Sequence, residues 1–275
     1  MVAAKPIKAG EIVFKELPIT YGPSEITKPL CLACYAPVTK DSPTCDLCGF
    51  PMCCKECCEA KCHKENECEA MSKNGYKVNA STFNFDGEEL TYAIISPIRT
   101  LKLREQNPEL WTLAWNQMSH LTKRKEMDFW KTETEKILNM LKQMIGLPET
   151  DVPIIEAILG IHLVNDFEIS LQDRSLSEAD DANSSNSIRG LFALASMPNH
   201  DCLSNTTHFF SSVKEGCVMT VRALRDIKEG EDITHSYSEP LNTVLARQTL
   251  LSMGKFFLVS FSRNFFILIF GWEFF

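Results

Sequence analysis

The middle of the chain, from about 86 to 170, has the apolar spacing of helices. One set of large apolar side chains recurs at intervals of three, four or seven residues, at Met127, Trp130, Ile137, Leu141 and Met144. Such spacing places these side chains on one face of a helix. The stretch 146–148, Gly-Leu-Pro, predicts the end of this helix, because glycine readily adopts the left-handed conformation found just after helices and proline lacks the backbone N–H that would continue one.

One further helix is predicted before the first and one after it. Trp111, Trp115 and Met118 mark a preceding helix, and we expect these side chains in the core. Pro153 opens an almost entirely apolar segment, 154–164, which predicts a buried helix. The polar residues that follow, 174–188, predict a surface loop.

The two flanks of this helical middle have the alternation of strands. Gly10 predicts a tight turn, and Ile12 and Phe14 then alternate with polar neighbours. The phrase Ile-Lys-Ala-Gly-Glu-Ile at 7–12 returns as Ile-Lys-Glu-Gly-Glu-Asp-Ile at 227–233. Such an echo usually marks two independent joints between strands rather than a repeat. Strand-rich flanks around a helical middle predict an α+β fold.

Length and charge restrict the functional classes. With 275 residues, the chain can form one large domain or two small ones. Its net charge of −8 provides no basic field for phosphates, so we expect no direct nucleic-acid binding. The same charge suits a basic partner or substrate.

Ten of the twelve cysteines lie between Cys31 and Cys68. They are spaced in pairs: Cys31-x2-Cys34, Cys45-x2-Cys48, Cys53-x3-Cys57 or Cys54-x3-Cys58, and a final His63-x4-Cys68. Thiolates two or three residues apart bind one ion tetrahedrally, so four pairs predict two zinc sites. The alternative is a disulfide framework, which would suit a secreted chain, but nothing like a signal peptide precedes the cluster. We therefore expect zinc and a reducing compartment, the cytoplasm and nucleus.

The order of these pairs resembles the MYND zinc finger. The resemblance implies one site made by the first and third pairs and another made by the second and last pairs. Carried over, the ligands are Cys31, Cys34, Cys53 and Cys57 in one site and Cys45, Cys48, His63 and Cys68 in the other. The last pair usually reads His-x3-Cys, so one residue is inserted here, and the doubled cysteines leave Cys54 and Cys58 as alternatives. MYND fingers bind proteins, which implies proline-containing peptides as partners.

A second stretch with candidate chemistry follows an apolar run. Residues 199–205 read Asn-His-Asp-Cys-Leu-Ser-Asn, and residues 230–237 read Gly-Glu-Asp-Ile-Thr-His-Ser-Tyr. These phrases resemble two motifs of SET-domain lysine methyltransferases, with Ser204 in place of the usual proline. A SET domain interrupted by a MYND finger is typical of the SET and MYND domain proteins, and the phrase around Asn165 is most similar to their arthropod branch. The resemblance covers residues 2 to about 253.

The resemblance implies a β-rich SET domain, interrupted by a MYND finger and a helical insert, in which the 199–205 and 232–237 segments cross. It implies S-adenosylmethionine as cofactor, a protein with an accessible lysine as substrate, and Tyr237 as the catalytic residue in the lysine channel. The cofactor-binding residues carried over are Asn165, Ser196, Asn199 and His200. It also implies five segments: the first SET segment 1–30, the finger 31–68, the helical insert and linker 69–188, the second SET segment 189–254 and an atypical hydrophobic tail 255–275.

Two departures from the family leave a second function open. Family members carry a Gly-x-Gly segment before the first strand, whereas this sequence opens Met-Val-Ala-Ala. Family members also carry three cysteines after the tyrosine motif, which bind a third zinc together with the cysteine that is here Cys202, whereas no cysteine follows Gly254 in this sequence. Without these partners, Cys202 is expected to be a buried free thiol. In the tail, Arg263 and Asn264 argue against a membrane span, and we expect no membrane partner. The alternative to a methyltransferase is therefore a catalytically impaired, zinc-binding interaction scaffold or transcriptional regulator.

Overall fold

The chain divides into two units, each built from both sides of the cysteine-rich segment. The computed structural model describes residues 1–255, apart from 26, 86, 88, 172–185 and 239–241. The first unit comprises Met1–Leu17, Ala193–Ser211 and the chain from Val218 onward, and the second comprises Pro18–Phe192 and Ser212–Cys217. The expected tail therefore lies outside the described residues beyond Lys255.

In the described residues, two strands precede the helices α1 to α8, six strands follow them, and one helix comes last. The strands are β1 (Ile12–Glu16), β2 (Thr20–Pro23), β3 (Asp166–Ser170), β4 (Ser187–Leu191), β5 (Asn199–His200), β6 (Thr206–Phe210), β7 (Met219–Ala223) and β8 (Thr234–His235). The α-helices are α1 (Lys55–Cys58), α2 (Lys61–His63), α3 (Glu69–Lys73), α4 (Ile95–Gln106), α5 (Pro108–Trp115), α6 (Leu121–Arg124), α7 (Asp128–Ile145), α8 (Val152–Asn165) and α9 (Val244–Lys255). A π-helical turn lies at Lys64–Cys68, and short 3₁₀ segments lie at Ala80–Thr82, Leu90–Ile94, Glu149–Asp151 and Val213–Glu215.

The first unit contains an antiparallel sheet of order β1-β7-β6 and a parallel pair, β5 with β8. The two echoed phrases pair with each other, because Ile7 and Ile227 exchange backbone hydrogen bonds of 2.9 and 2.8 Å. The phrases therefore form one paired structure instead of two independent joints. Ile12 is exposed despite the predicted alternation, since the register of β1 shifts between Ile12 and Phe14.

The second unit contains the antiparallel sheet β2-β4-β3, the cysteine-rich segment and helices α1 to α8. The predicted helical middle is confirmed. Helix α7 buries Trp130, Leu141 and Met144 and ends at Gly146, whose positive φ of 65° suits glycine. Helix α8 has proline in its first turn and is mostly buried, as predicted.

Two predictions about this region are wrong in detail. Trp115 and Met118 are exposed, because α5 ends at Trp115 and Met118 lies beyond its end. Trp111 stacks on Trp115, with ring centroids 5.1 Å apart. Ser187 and Ile188, assigned to the polar loop, lie in β4 and are buried between β2 and β3. The rest of that loop, 174–185, lies outside the described residues.

The mixture of sheets, helices and a cysteine-rich segment confirms the α+β fold class. The division into five segments stays a prediction. In the part of the chain that the structure describes, no helix combines the length and the apolar character that a bilayer span requires.

Candidate functional site

The cysteine-rich segment brings eight ligand side chains into two groups of four. The groups are Cys31, Cys34, Cys53 and Cys57, and Cys45, Cys48, His63 and Cys68. Within each group the ligand atoms lie within 4.8 Å of one another. These groups are those that the resemblance implies, and neither includes Cys54 or Cys58.

The donor set and its spacing fit zinc. Pairs of ligand atoms are 3.4 Å apart for Cys34 and Cys53, 3.5 Å for Cys53 and Cys57, and 3.7 Å for Cys45 and Cys68. Tetrahedral zinc with Zn–S bonds of about 2.3 Å separates its sulfur atoms by about 3.8 Å. Four thiolates, or three thiolates and an imidazole, are the ligands of structural zinc sites.

The first two cysteine pairs lie on tight turns that need a left-handed residue. In the turn after Cys48, Gly49 has φ +81°, and a Cβ there would lie 2.2 Å from the carbonyl oxygen of Val78. In the turn after Cys34 the equivalent residue is Tyr35, with φ +59°. A non-glycine residue in this conformation costs about 1–2 kcal/mol. The buried hydroxyl of Tyr35 accepts a hydrogen bond from Arg99, which helps to hold the strained turn.

The residue inserted in the last ligand pair is accommodated by the π-helical turn at Lys64–Cys68. This turn closes hydrogen bonds over five residues rather than four. His63 and Cys68 are five residues apart, so the wider turn brings both toward the same ion. Asn66 absorbs the extra residue with non-helical angles, φ −112° and ψ −111°. The altered spacing seen in the sequence therefore has a local structural explanation.

His63 is held in place by a buried carboxylate, which the sequence analysis missed. Nδ1 of His63 lies 2.9 Å from Oε1 of Glu67, so Nε2 faces Cys48 Sγ at 3.5 Å. Burial by itself would raise the pKa of the Glu67 carboxyl, but the charge of Arg99 and hydrogen bonds from His63 and Arg99 lower it. Glu67 is therefore ionised. Its position four residues after a metal-ligating histidine was a signal that could have identified it.

In the first unit, the 199–205 and 232–237 segments, for which the resemblance implies a crossing, lie side by side, and we refer to this contact as the crossing. Strands β5 and β8 pair in parallel, and the N–H of Asp201 donates to the carbonyl of His235 at 3.0 Å. Asn205 fastens the crossing, because Nδ2 donates to the Asp232 carbonyl and Oδ1 accepts from the Thr234 N–H, both at 2.8 Å. The crossing is thus made by polar side chains as well as by strands.

Tyr237 lies directly against this crossing. Its backbone N–H donates to Nδ1 of His200 at 3.0 Å, and its hydroxyl donates to the carbonyl of Pro198 at 2.6 Å. Burial raises the pKa of Tyr237, which keeps the phenol protonated. Burial likewise lowers the pKa of His200, and the charge of Arg247 lowers it further, against an opposing effect of Asp201. A neutral His200 with an unprotonated Nδ1 is the form that accepts the Tyr237 N–H.

The other residues of this unit that the resemblance assigns to cofactor binding differ in burial and in hydrogen bonding. Asn199 is exposed, and its amide makes no hydrogen bond with the described residues. Nε2 of His200 lies 3.3 Å from Sγ of Cys202, which is buried as expected. Ser196 is half-buried in the same unit. Both ring nitrogens of His200 therefore face protein atoms, which makes the residue a support for Tyr237.

Asn165 belongs to the second unit, at the end of α8. Its Nδ2 donates to the carbonyls of Met118 and Ile161, both at 2.8 Å. Its Oδ1 accepts no hydrogen bond from the described residues. The amide is thus fixed by its nitrogen, with its oxygen left as an acceptor.

Glu16 is a further residue of the first unit that the sequence analysis missed. Its carboxylate accepts three backbone N–H groups, from Ala193 and Leu194 at 2.8 Å and from Ala195 at 3.0 Å. These residues immediately precede Ser196. Glu16 therefore fixes the backbone that leads into the Ser196–Asn205 stretch. An acidic residue at the end of a strand carries no such meaning until the loop is placed.

Two histidines of the first unit, the buried His235 and the half-buried His208, contact each other beside the crossing. Nδ1 of His208 and Nε2 of His235 are 2.9 Å apart, which allows only one proton between them. Burial and the neighbouring His208 and His200 lower the pKa of His235 to about 3. The pair is neutral at physiological pH.

Comparisons with known proteins agree with this arrangement. The family model of the SET domain matches residues 1–238. The chain is similar to the Drosophila melanogaster SET domain-containing protein SmydA-8, isoform A, at 25% identity over 266 residues, which is 93% of this chain and 51% of that protein. Isoform B is 26% identical over 263 residues, with 93% of this chain and 53% of that protein covered. The chain therefore spans about half the length of the curated relatives that it matches.

We expect Glu16→Gln to destabilise the protein by about 2 kcal/mol, because an amide has one acceptor oxygen for three N–H groups and leaves at least one unsatisfied. Urea unfolding measures the loss. Glu229→Gln, which removes the same charge from an exposed turn, is the control. Equal stability of the two variants would show that Glu16 does not hold the loop.

We expect the protein to lose stability in acid through His235. The unfolded histidine titrates near 6.5, whereas the folded pKa is about 3. The unfolded chain therefore binds more protons between these values, and stability falls as the pH drops below about 6.5. For His235 the loss between pH 7 and pH 5 is about 2 kcal/mol. Urea midpoints across this range should fall less steeply for His235→Gln, and parallel curves would contradict the assignment.

Proposed function

We propose that this chain, which belongs to the SET domain family, transfers methyl groups from S-adenosylmethionine to lysine side chains of proteins. The observation that carries the proposal is the crossing in the first unit. It fixes a half-buried, protonated tyrosine, Tyr237, beside the polar Asn199–Asn205 stretch. The similarity to SET domain-containing proteins of Drosophila melanogaster supports the same activity.

The chemistry of Tyr237 suits an amine acceptor. Methyl transfer to an amine needs alignment and exclusion of water more than a strong base. The hydroxyl donates its hydrogen to the Pro198 carbonyl, so the lone pairs of its oxygen accept a hydrogen bond from an incoming amine N–H. His200 holds the backbone of Tyr237, which fixes the direction of the phenol. Tyr237 is thus the proposed catalytic residue and His200 its support.

The polar groups near the crossing fit the proposed methyl donor. When bound, S-adenosylmethionine supplies the electrophilic methyl group. Its amino-acid and adenine parts need amide and backbone partners, and Asn199 offers an exposed amide. We assign Ser196 and the backbone of His200, which belong to the same unit, to the same ligand.

We propose two zinc ions in the cysteine-rich segment, one in each four-ligand group. Their role is structural, since four protein ligands leave no open coordination position. The substrate is a protein with an accessible lysine, histone or non-histone, and the net charge of −8 favours a basic segment. Proline-containing peptides are the proposed partners of the finger, and the cytoplasm and nucleus the proposed compartments.

Metal analysis should find two zinc ions per chain. Four-ligand thiolate sites bind zinc tightly and depend on it for folding. Elemental analysis after exhaustive dialysis measures the stoichiometry. Prolonged chelation should then unfold the second unit, read by loss of helical circular dichroism. Purified, folded protein without zinc would contradict the assignment.

Tyr237→Phe should lower methylation of core histones or lysine peptides by about 100-fold, because the variant loses the oxygen that orients the amine. Transfer of label from radioactive S-adenosylmethionine measures the rate, and Tyr76→Phe, in the second unit, is the matched control. Calorimetric titration tests cofactor binding separately. If no binding occurs at millimolar cofactor while zinc is present, the chain is a zinc-binding interaction scaffold and the enzymatic proposal is wrong.

A further inference from the structure

Glu67 is a carboxylate with no exposed surface between His63 and a guanidinium. Oε1 accepts from Nδ1 of His63 at 2.9 Å and from Nη2 of Arg99 at 2.7 Å, and Oε2 accepts from Nε of Arg99 at 3.0 Å. Removing a carboxylate from water costs several kcal/mol unless such partners compensate. A surface carboxylate could not fix the imidazole in this way.

All five N–H donors of Arg99 have acceptors. Besides Glu67, they reach the carbonyl of Tyr21 at 3.0 Å, the carbonyl of Leu32 at 2.7 Å, and the hydroxyl of Tyr35. Tyr21 lies in β2, Arg99 lies in α4, and Leu32 lies within the first cysteine pair. The guanidinium therefore cannot move without breaking contacts to three parts of the second unit.

The second metal group depends on this arrangement more than the first does. His63 is the one imidazole among the eight ligands, and an imidazole binds metal through Nε2 only if its ring faces the ion. A thiolate carries no comparable ring to orient. A carboxylate on the remote nitrogen fixes the tautomer, holds the ring and makes the ligand nitrogen more basic.

We propose that Glu67 and Arg99 are positioning residues of the second zinc site, which couple zinc retention at His63 to helix α4 and strand β2. The inference rests on the proposed zinc binding. The two zinc ions then differ in how they depend on the surrounding fold. The ion at the site of His63 depends on Glu67, and through Arg99 on helix α4. The ion at the four-cysteine site does not depend on Glu67.

The test is zinc release from the full chain to pyridylazoresorcinol, a coloured chelator. Glu67→Gln should release one of the two ions about 10- to 100-fold faster, the range found for partners of metal-bound histidine. The amide has one oxygen for His63 and Arg99, so one of these donors faces an NH₂ group. The control is Glu65→Gln, an exposed charge two residues earlier, which should release both ions at the wild-type rates.

Cobalt identifies which site is affected. In protein loaded with Co²⁺, the ligand-field bands of the site with three sulfurs and one nitrogen should shift in Glu67→Gln, while those of the four-sulfur site stay unchanged. A purely structural defect would disturb both sites. If Glu67→Gln does not fold, Arg99→Lys is the second variant. It keeps the positive charge and the Glu67–His63 hydrogen bond but loses the two parallel N–H donors, Nε and Nη2, that bind the carboxylate. Because Arg99 also binds the Leu32 carbonyl and the Tyr35 hydroxyl beside the four-cysteine group, this variant should speed release of both ions, and more strongly that of the ion at His63.

The outcomes separate the two proposals. If wild-type protein holds two zinc ions and Glu67→Gln or Arg99→Lys releases them like Glu65→Gln, the positioning role is wrong and zinc binding stands. Equal acceleration of both ions also overturns the positioning role. If wild-type protein holds no zinc, both proposals fail.

Discussion

The buried pair of Glu67 and Arg99 is the interaction on which the second unit depends. Glu67 has no exposed surface and Arg99 is 7% exposed, and the cost of burying each charge is offset by the other and by the hydrogen bonds around them. The partners come from the cysteine-rich segment, β2 and α4, so the pair holds these three parts together. Arg99 also binds the hydroxyl of Tyr35, which helps to offset the strain of its left-handed turn. One buried charge pair thus connects both groups of four candidate ligands to helix α4.

The first unit depends on a different kind of interaction. Its crossing has strands of only two residues, which contribute few backbone hydrogen bonds. Side chains supply the rest: Asn205 binds two backbone groups across the crossing, and Thr206 donates to the Thr234 carbonyl at 2.7 Å. Glu16 holds the preceding loop. A polar network of this kind specifies one backbone arrangement, since each unsatisfied member would carry the full cost of desolvation.

The proposed metal sites and the proposed reactive residues belong to different units. The two proposed zinc ions, with four protein ligands each, would leave no position for a substrate, so the cysteine-rich segment would contribute structure. The residues proposed for the reaction, Tyr237 and Asn199, belong to the first unit. In each unit, segments that precede the helical middle pair with segments that follow it, so the fold forms only after the long insert brings them together.

The sequence by itself determined the features that depend on local spacing. Helical periodicity predicted α7 and α8, and the intervals between Cys31 and Cys68 predicted two four-ligand sites. Which residues group together was implied by the resemblance to the MYND finger. Glu67, Arg99 and Glu16 became meaningful only in the tertiary structure. Arg99 is 32 residues from its carboxylate partner, and Glu16 is 177 residues from the first N–H that it binds. No local pattern encodes such contacts, because the hydrogen-bonding partner of a charged side chain is chosen by the fold of distant segments.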